Sequence, residues 1–197
     1  MLSFSLVLSW AAALIEFFGR GKSIVFIPYG IVIPLVLLVP RILLFWSPRF
    51  REGTGVDWLK KVERLIFLIL FLNVPGSLYL HDIGLQYDRF LHLVVGFLSA
   101  LLLFHFVAPA EKLFAPHMRK ITTLELAFTI LFVGLFFIEG VELFTDYSFG
   151  TNEIFGDVAQ PLFVDFWEDI MFGFTGIVLG TIYAGRFSDN FLSDQKQ

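Results

Sequence analysis

Asp88 and His92 stand four residues apart at the head of an apolar run, Tyr87-Asp88-Arg89-Phe90-Leu91-His92. On a helix that spacing puts both on one face. Glu139 and Glu142 close a second apolar run, three apart and again on one side. Asp165 and Asp169 open a third, four apart. Ionisable groups inside apolar helices are expensive, so each one asks for a function. Five carboxylates and an imidazole in a confined, poorly hydrated space cannot all stay ionised alone. They need a cation, shared protons or a partner such as Arg89. Carboxylate oxygen with imidazole nitrogen suits Mg²⁺, Mn²⁺, Fe²⁺ or Zn²⁺ rather than soft metals. Asp88, His92, Asp165 and Asp169 are therefore candidate ligands of one divalent ion such as Mg, Mn or Zn. Glu139 or Glu142 is the candidate general base, and Arg89 the candidate phosphate partner.

The elements that must position these groups are legible in the composition. Of 197 residues, 57% are hydrophobic and only 16% charged, with a mean hydropathy of +0.79. Soluble domains carry about 45–50% apolar and about 25% charged residues. The excess is gathered into runs long enough to cross a hydrocarbon core, which takes roughly 20 residues of helix. The expectation is an all-α integral membrane bundle of about six transmembrane helices: Leu2–Phe18, Ile24–Trp46, Leu65–Leu80, Phe90–Ala108, Ile121–Phe144 and Pro161–Ala184. Residues 1–185 form a single transmembrane domain, and residues 186–197 a polar, frayed cytoplasmic tail. Pro28, Pro34 and Pro40 predict a kink in the second helix, tolerated where neighbours satisfy the freed carbonyls. The first run lacks a basic leader and a small-residue cleavage site, so it reads as a retained helix rather than a signal peptide. There are 26 Phe residues, suited to lipid-facing surfaces, and no Cys, which excludes disulfides and Cys-based metal sites. The net charge of −4, with no basic patch, gives no basis for nucleic-acid binding. Membrane lipids are the expected partners.

Charge asymmetry orients the chain. Arg49, Arg51, Lys60 and Lys61 lie between the second and third runs, flanked by Arg41 and Arg64. Lys112, Arg119 and Lys120 lie between the fourth and fifth. The segment Thr145–Gln160 has no Lys or Arg but contains Asp146, Glu153 and Asp157. Cytoplasmic loops concentrate Lys and Arg. The basic segments then face inward, both termini are cytoplasmic, and the protein sits in the cell (plasma) membrane. Arg20 and Lys22 run against this assignment. With it, the three acidic pairs converge on one membrane level. At 1.5 Å rise per residue, Asp165 lies roughly 6 Å and Asp169 roughly 12 Å below Pro161, near outer headgroup depth. Gly173, Gly176 and Gly180 fall within about 80° of the two aspartates on their helix. Gly176-x-x-x-Gly180 predicts a close helix contact.

A plainer account competes. Helix-end acids can be hydrated at the interface, and Asp165 and Glu168 suit a helix N-terminus. Asp169 and His92 resist it best, being deepest among apolar neighbours. His81, His105, His117 and Glu125 read as structural.

Asp88-Arg89-x-x-His92-x-x-x-Gly96-Phe97, then Glu139-x-x-Glu142, then Asp165-x-x-x-Asp169 followed by Gly176, resembles the YjdF-type inner-membrane family and the wider VanZ-like group. The likeness covers about Asp88–Gly180. There are departures: Gly156-Asp157 is followed by a longer stretch before Asp165 than in YjdF-type proteins. Glu142 and Gly173 stand where VanZ-like proteins carry Gln and Asn. The resemblance implies a cell-envelope setting.

Three functions remain open. One is a metal-assisted enzyme acting on lipid headgroups or lipid-linked envelope precursors at the outer leaflet, where an ion polarises a phosphoryl or acyl oxygen and activates water. No phosphate loop, His-Glu-x-x-His or serine elbow accompanies it. Another is a proton-coupled transporter, although such sites lie near the midplane between repeats. The third is a non-catalytic envelope component whose cluster specifies packing or binds a lipid or partner.

Overall fold

The computed structural model describes residues 2–19, 28–75, 87–114, 120–149 and 161–193. Among them every element is helical: α1 (Leu2–Gly19), a π-helical turn (Pro28–Val32), α2 (Ile33–Trp46), α3 (Pro48–Pro75), α4 (Tyr87–Phe114), α5 (Lys120–Phe149) and α6 (Leu162–Ser193). In hydrocarbon no water can satisfy a backbone amide, and a helix satisfies nearly all of its own. Among the described residues, three helical stretches are long and apolar enough to cross a membrane, over Tyr29–Trp46, Tyr87–Ala110 and Thr122–Ser148, with a shorter apolar helix at Leu2–Ile15.

The outer surface is apolar. Phe4, Leu35, Phe45, Phe137 and Phe163 are all exposed, Phe137 to 71%. A water-soluble monomer rarely presents an apolar surface of this extent.

The first proline of the second run sits in a turn rather than at a simple kink. In a π turn the carbonyl of Tyr29 faces the N–H of residue 34. Residue 34 is proline and has none. The Ser9 hydroxyl of α1 donates to the Tyr29 carbonyl instead. Both Ser9 and Tyr29 are buried, so this bond ties α1 to the α2 entry.

The third run differs from its expected form. Its basic stretch is not a loop: only Ser47 separates α2 from α3, and helix begins at Pro48. Lys, Arg, Glu and Leu favour helix, and one face of the segment is apolar. Phe50, Trp58, Val62, Ile66 and Leu70 on that face form a core with Leu37 of α2. Trp58 meets Phe50 and Phe106 edge to face, with centroids 5.0 and 5.3 Å apart, and its Nε1 donates to the His105 carbonyl at 2.7 Å. Glu63, buried on α3, accepts from Arg41 of α2, with Nε at 2.8 Å and Nη2 at 2.7 Å. Residues 76–80 of the expected third span lie outside the described residues.

The second half is held differently. α4 packs most extensively on α6, and glycine sets the distance. A Cβ on Gly96 would stand 2.5 Å from the Gly173 carbonyl oxygen, and one on Gly180 2.6 Å from that of Phe97. One on Gly176 would overlap the Leu93 carbonyl. The expected Gly176/Gly180 contact is therefore a backbone-to-backbone seam, and Gly96 and Gly173 extend it. The pairs Leu93/Gly176 and Phe97/Gly180 advance together, so α4 and α6 run parallel. α5 lies against α6 through Phe128, Phe132 and Phe174. α6 continues past the expected end at Ala184 to Ser193.

Candidate metal centre

Chain order makes α4 and α6 parallel and α5 antiparallel to them. The N-terminal turns of α4 and α6 thereby meet the C-terminal turns of α5. The acidic pairs read on separate helices come together around one imidazole. His92 Nε2 stands 3.5 Å from Asp88 Oδ1 and 3.5 Å from Asp169 Oδ1, while Nδ1 stands 3.5 Å from Glu139 Oε1. The group is enclosed: Glu139 and Asp169 are buried, and the His92 side chain is 20% exposed.

These separations exceed a normal hydrogen bond of about 2.7–3.2 Å. The two on the Nε2 side, to Asp88 and Asp169, suit a shared ion. Two ligand atoms each about 2.0–2.2 Å from one metal lie roughly 3.0–3.5 Å apart. Asp88, His92 and Asp169 each offer one ligand atom, all within 4.8 Å of one another, and could hold a metal ion. Asp169 Oδ1 is also buried with no hydrogen-bond partner, a costly arrangement for a carboxylate unless something neutralises it.

A narrow cleft opens beside the triad. Glu139, Glu142, Asp146, Asp165 and Asp169 line it. Leu143, Leu162 and Phe166 supply its apolar walls. Asp165 thus lies in the cleft and outside the three-residue group, in the first turn of α6 after the Pro161 carbonyl receives the Val164 and Asp165 amides at 2.8 and 3.2 Å.

Two residues escaped the sequence reading. The apolar run ends before Asp146, but α5 runs to Phe149 and buries it. The signal was present: Glu139, Glu142 and Asp146 follow the i, i+3, i+7 spacing of one helix face. Glu168 has the position of a helix-end acid, yet its Oε2 receives Arg89 Nε at 2.8 Å and Nη2 at 2.5 Å, bridging α6 to α4. Arg89 is accordingly placed against Glu168. Glu125 is exposed. His81, His117, Arg20, Lys22, Arg119, Glu153 and Asp157 lie outside the described residues.

Comparison with known families adds the class of protein. The model of a family described as predicted membrane protein (DUF2238) matches residues 1–190. The chain belongs to that family, and the apolar exterior and long apolar helices agree with it. No curated protein and no solved structure matches the chain.

Proposed function

We propose that this chain is a six-span cell-membrane protein whose Asp88, His92 and Asp169 hold one divalent ion at outer headgroup depth, for metal-assisted chemistry on lipid headgroups or lipid-linked envelope precursors. The observation that carries the reading is the convergence on His92, with ligand-like spacing and a buried Asp169 oxygen that has no hydrogen-bond partner. All six helices then cross the bilayer. The Lys and Arg in the N-terminal half of α3 and around the α4/α5 junction would set the opposite end in the cytoplasm, with both termini inside. The narrower likeness to YjdF-type and VanZ-like proteins supports an envelope setting.

Each residue then has a task. His92 Nδ1 faces Glu139 Oε1 at 3.5 Å, so this carboxylate would orient the ring and raise its basicity if Nε2 held an ion. Glu139 is thereby a positioning residue. Glu142, which lines the cleft, would serve as the general base. Arg89 holds α4 to α6 through Glu168, and a substrate phosphate would have to displace that carboxylate to reach it. The ion itself supplies the charge that draws an oxyanion into an acidic cleft.

A packing role is favoured by one fact, that the cluster sits directly beyond the glycine seam where α4, α5 and α6 meet. Metal analysis of the purified chain by mass spectrometry, beside Asp169→Asn, separates the two. A near-stoichiometric divalent metal in the parent, lost in a variant that still folds, supports the metal centre. No metal after incubation with Mg²⁺, Mn²⁺ and Zn²⁺ rejects it, and a variant that cannot fold then assigns Asp169 to packing.

A further inference from the structure

We propose that the basic flank where α2 meets α3 binds an anionic phospholipid in the leaflet opposite the His92 centre, with the headgroup phosphate on Lys60 and Arg64 of α3 and Arg41 of α2. The site stands apart from the metal reading and does not depend on it.

Two contacts fix the level of this flank. Residue 109 is proline, so the His105 carbonyl of α4 lacks the amide that would ordinarily take it. The Trp58 indole donates to it instead, at 2.7 Å, and sets α3 against α4. Arg41 on Glu63 sets α2 against α3 in the same stretch. His105 follows Asp88 by 17 residues on α4, and Arg186 follows Asp169 by 17 on α6. At 1.5 Å per residue both lie roughly 25 Å from the acidic cluster, most of the ~30 Å of a hydrocarbon core. Phe45 and Trp46, 78% and 79% exposed at the end of α2, suit the same border. Lys60 and Arg64, within two turns of Trp58, have side chains long enough to reach the headgroups there.

Charge then selects the lipid. From Asp57 to Arg64 the chain carries Lys60, Lys61 and Arg64 against Asp57 and Glu63, and Arg41 adds a further cation. Asp57 answers Lys60 at 3.0 Å, Glu63 answers Arg41, and no third acid lies on this stretch. Lys60 and Arg64 are both exposed and, four residues apart, share one side of α3. The Arg41 side chain remains 50% exposed, and Glu63 takes only two of its five N–H donors. Cations facing lipid are costly unless an anion meets them, and they gain most from anionic headgroups. Ile42 and Phe45, exposed beside Arg41, offer the acyl chains an apolar surface. A zwitterionic headgroup brings an ammonium that these cations repel. The class that fits is therefore a phospholipid of net negative charge.

The test is native mass spectrometry of the full chain in detergent, titrated with dioleoyl phosphatidylglycerol and separately with dioleoyl phosphatidylcholine. The parent should bind the anionic lipid about tenfold more tightly or better. Lys60→Gln/Arg64→Gln should lose roughly twenty-five-fold in phosphatidylglycerol affinity, about fivefold for each cation removed. Arg186→Gln, which removes a cation at the same level on α6, should bind as the parent does. Should the double variant fail to fold, Arg64→Gln takes its place with a loss of about fivefold. Equal binding of the two lipids by the parent overturns the site. A double variant that keeps the preference also overturns it. So does Arg186→Gln losing the preference as fully, which would reduce the effect to net charge. Soluble glycerol phosphate at the same concentration should leave the lipid bound; displacement would assign these cations to a soluble phosphate and overturn the lipid.

Discussion

The two halves of the molecule treat a buried acid in opposite ways. Glu63, on α3, is buried and answered one for one by Arg41, whose Nε and Nη2 both reach the same oxygen. Around His92 the ratio is reversed: Asp88, Glu139 and Asp169 crowd one imidazole at 3.5 Å, and more carboxylates line the cleft beside it. Packing follows the same division. Side chains such as Phe50, Trp58 and Phe106 hold α3 to its neighbours, whereas α4 and α6 meet backbone to backbone at glycine. A satisfied pair needs nothing from outside the chain. A cluster of like charges fixed on a rigid seam does, because proximity and burial each raise the cost of keeping it charged.

The seam is the largest lever on this contrast. Gly176→Leu puts a side chain into the Leu93 carbonyl, and the overlap is with backbone that cannot rotate away. The expected outcome is loss of the monodisperse species in fluorescence-detected size exclusion. Gly134→Ala, with nothing within 4 Å of its new methyl, should run as the parent does. Equal behaviour of the two would mean that α4 and α6 are not in backbone contact.

Removing charge should have opposite signs at the two sites. Arg41→Ala leaves the Glu63 carboxylate buried without its partner and should lower stability by about 1–3 kcal/mol. Replacing both residues by Met should recover most of it. Asp169→Asn removes one of several mutually repelling acids, so the metal-free protein should melt higher than the parent. The same change should abolish the stabilisation by divalent ions, which would reach about 2.7 kcal/mol at a hundredfold excess over Kd. Thermal melts with chelator and with Mn²⁺ measure both. A parent that melts no higher with Mn²⁺ would reduce the His92 cluster to a structural motif.

The smallest effect belongs to an exposed pair. Lys60 Nζ stands 3.0 Å from Asp57 Oδ1 one turn away on α3, and the ammonium holds the Asp57 carboxyl below its usual range. The group's folded-state pKa is lowered, so any stabilisation is present above the ordinary carboxylate pKa and fades as pH falls through the lowered one. Solvent screens the pair. Asp57→Asn should leave the melting temperature unchanged near neutral pH. A clear drop would show that the α3 entry is more buried than its exposed Asp57 side chain indicates.

Much of this arrangement could be read along the chain. Each acidic pair follows a helical spacing, and so do Gly173, Gly176 and Gly180. The i, i+3 and i+4 rule works within one element and needs no partner. It failed where an element's end was drawn from charge. An end drawn at Phe144, where the apolar run stops, leaves Asp146 in a loop, yet α5 continues to Phe149 and buries it. The basic stretch before Leu65 likewise has the charge of a loop, although Trp58 and Val62 give it an apolar face that packs.

Local pattern alone therefore determined that the chain is helical and apolar outside, and which residues share each helix face. Hydrophobic length and helical period are properties of neighbours in sequence. Only the tertiary structure decided that Asp88, Glu139 and Asp169 meet at His92, and that Glu168 takes Arg89. Those contacts depend on which helices lie side by side and at what distance. Here that distance is set by glycines on α4 and α6, 77 or more residues apart in the chain.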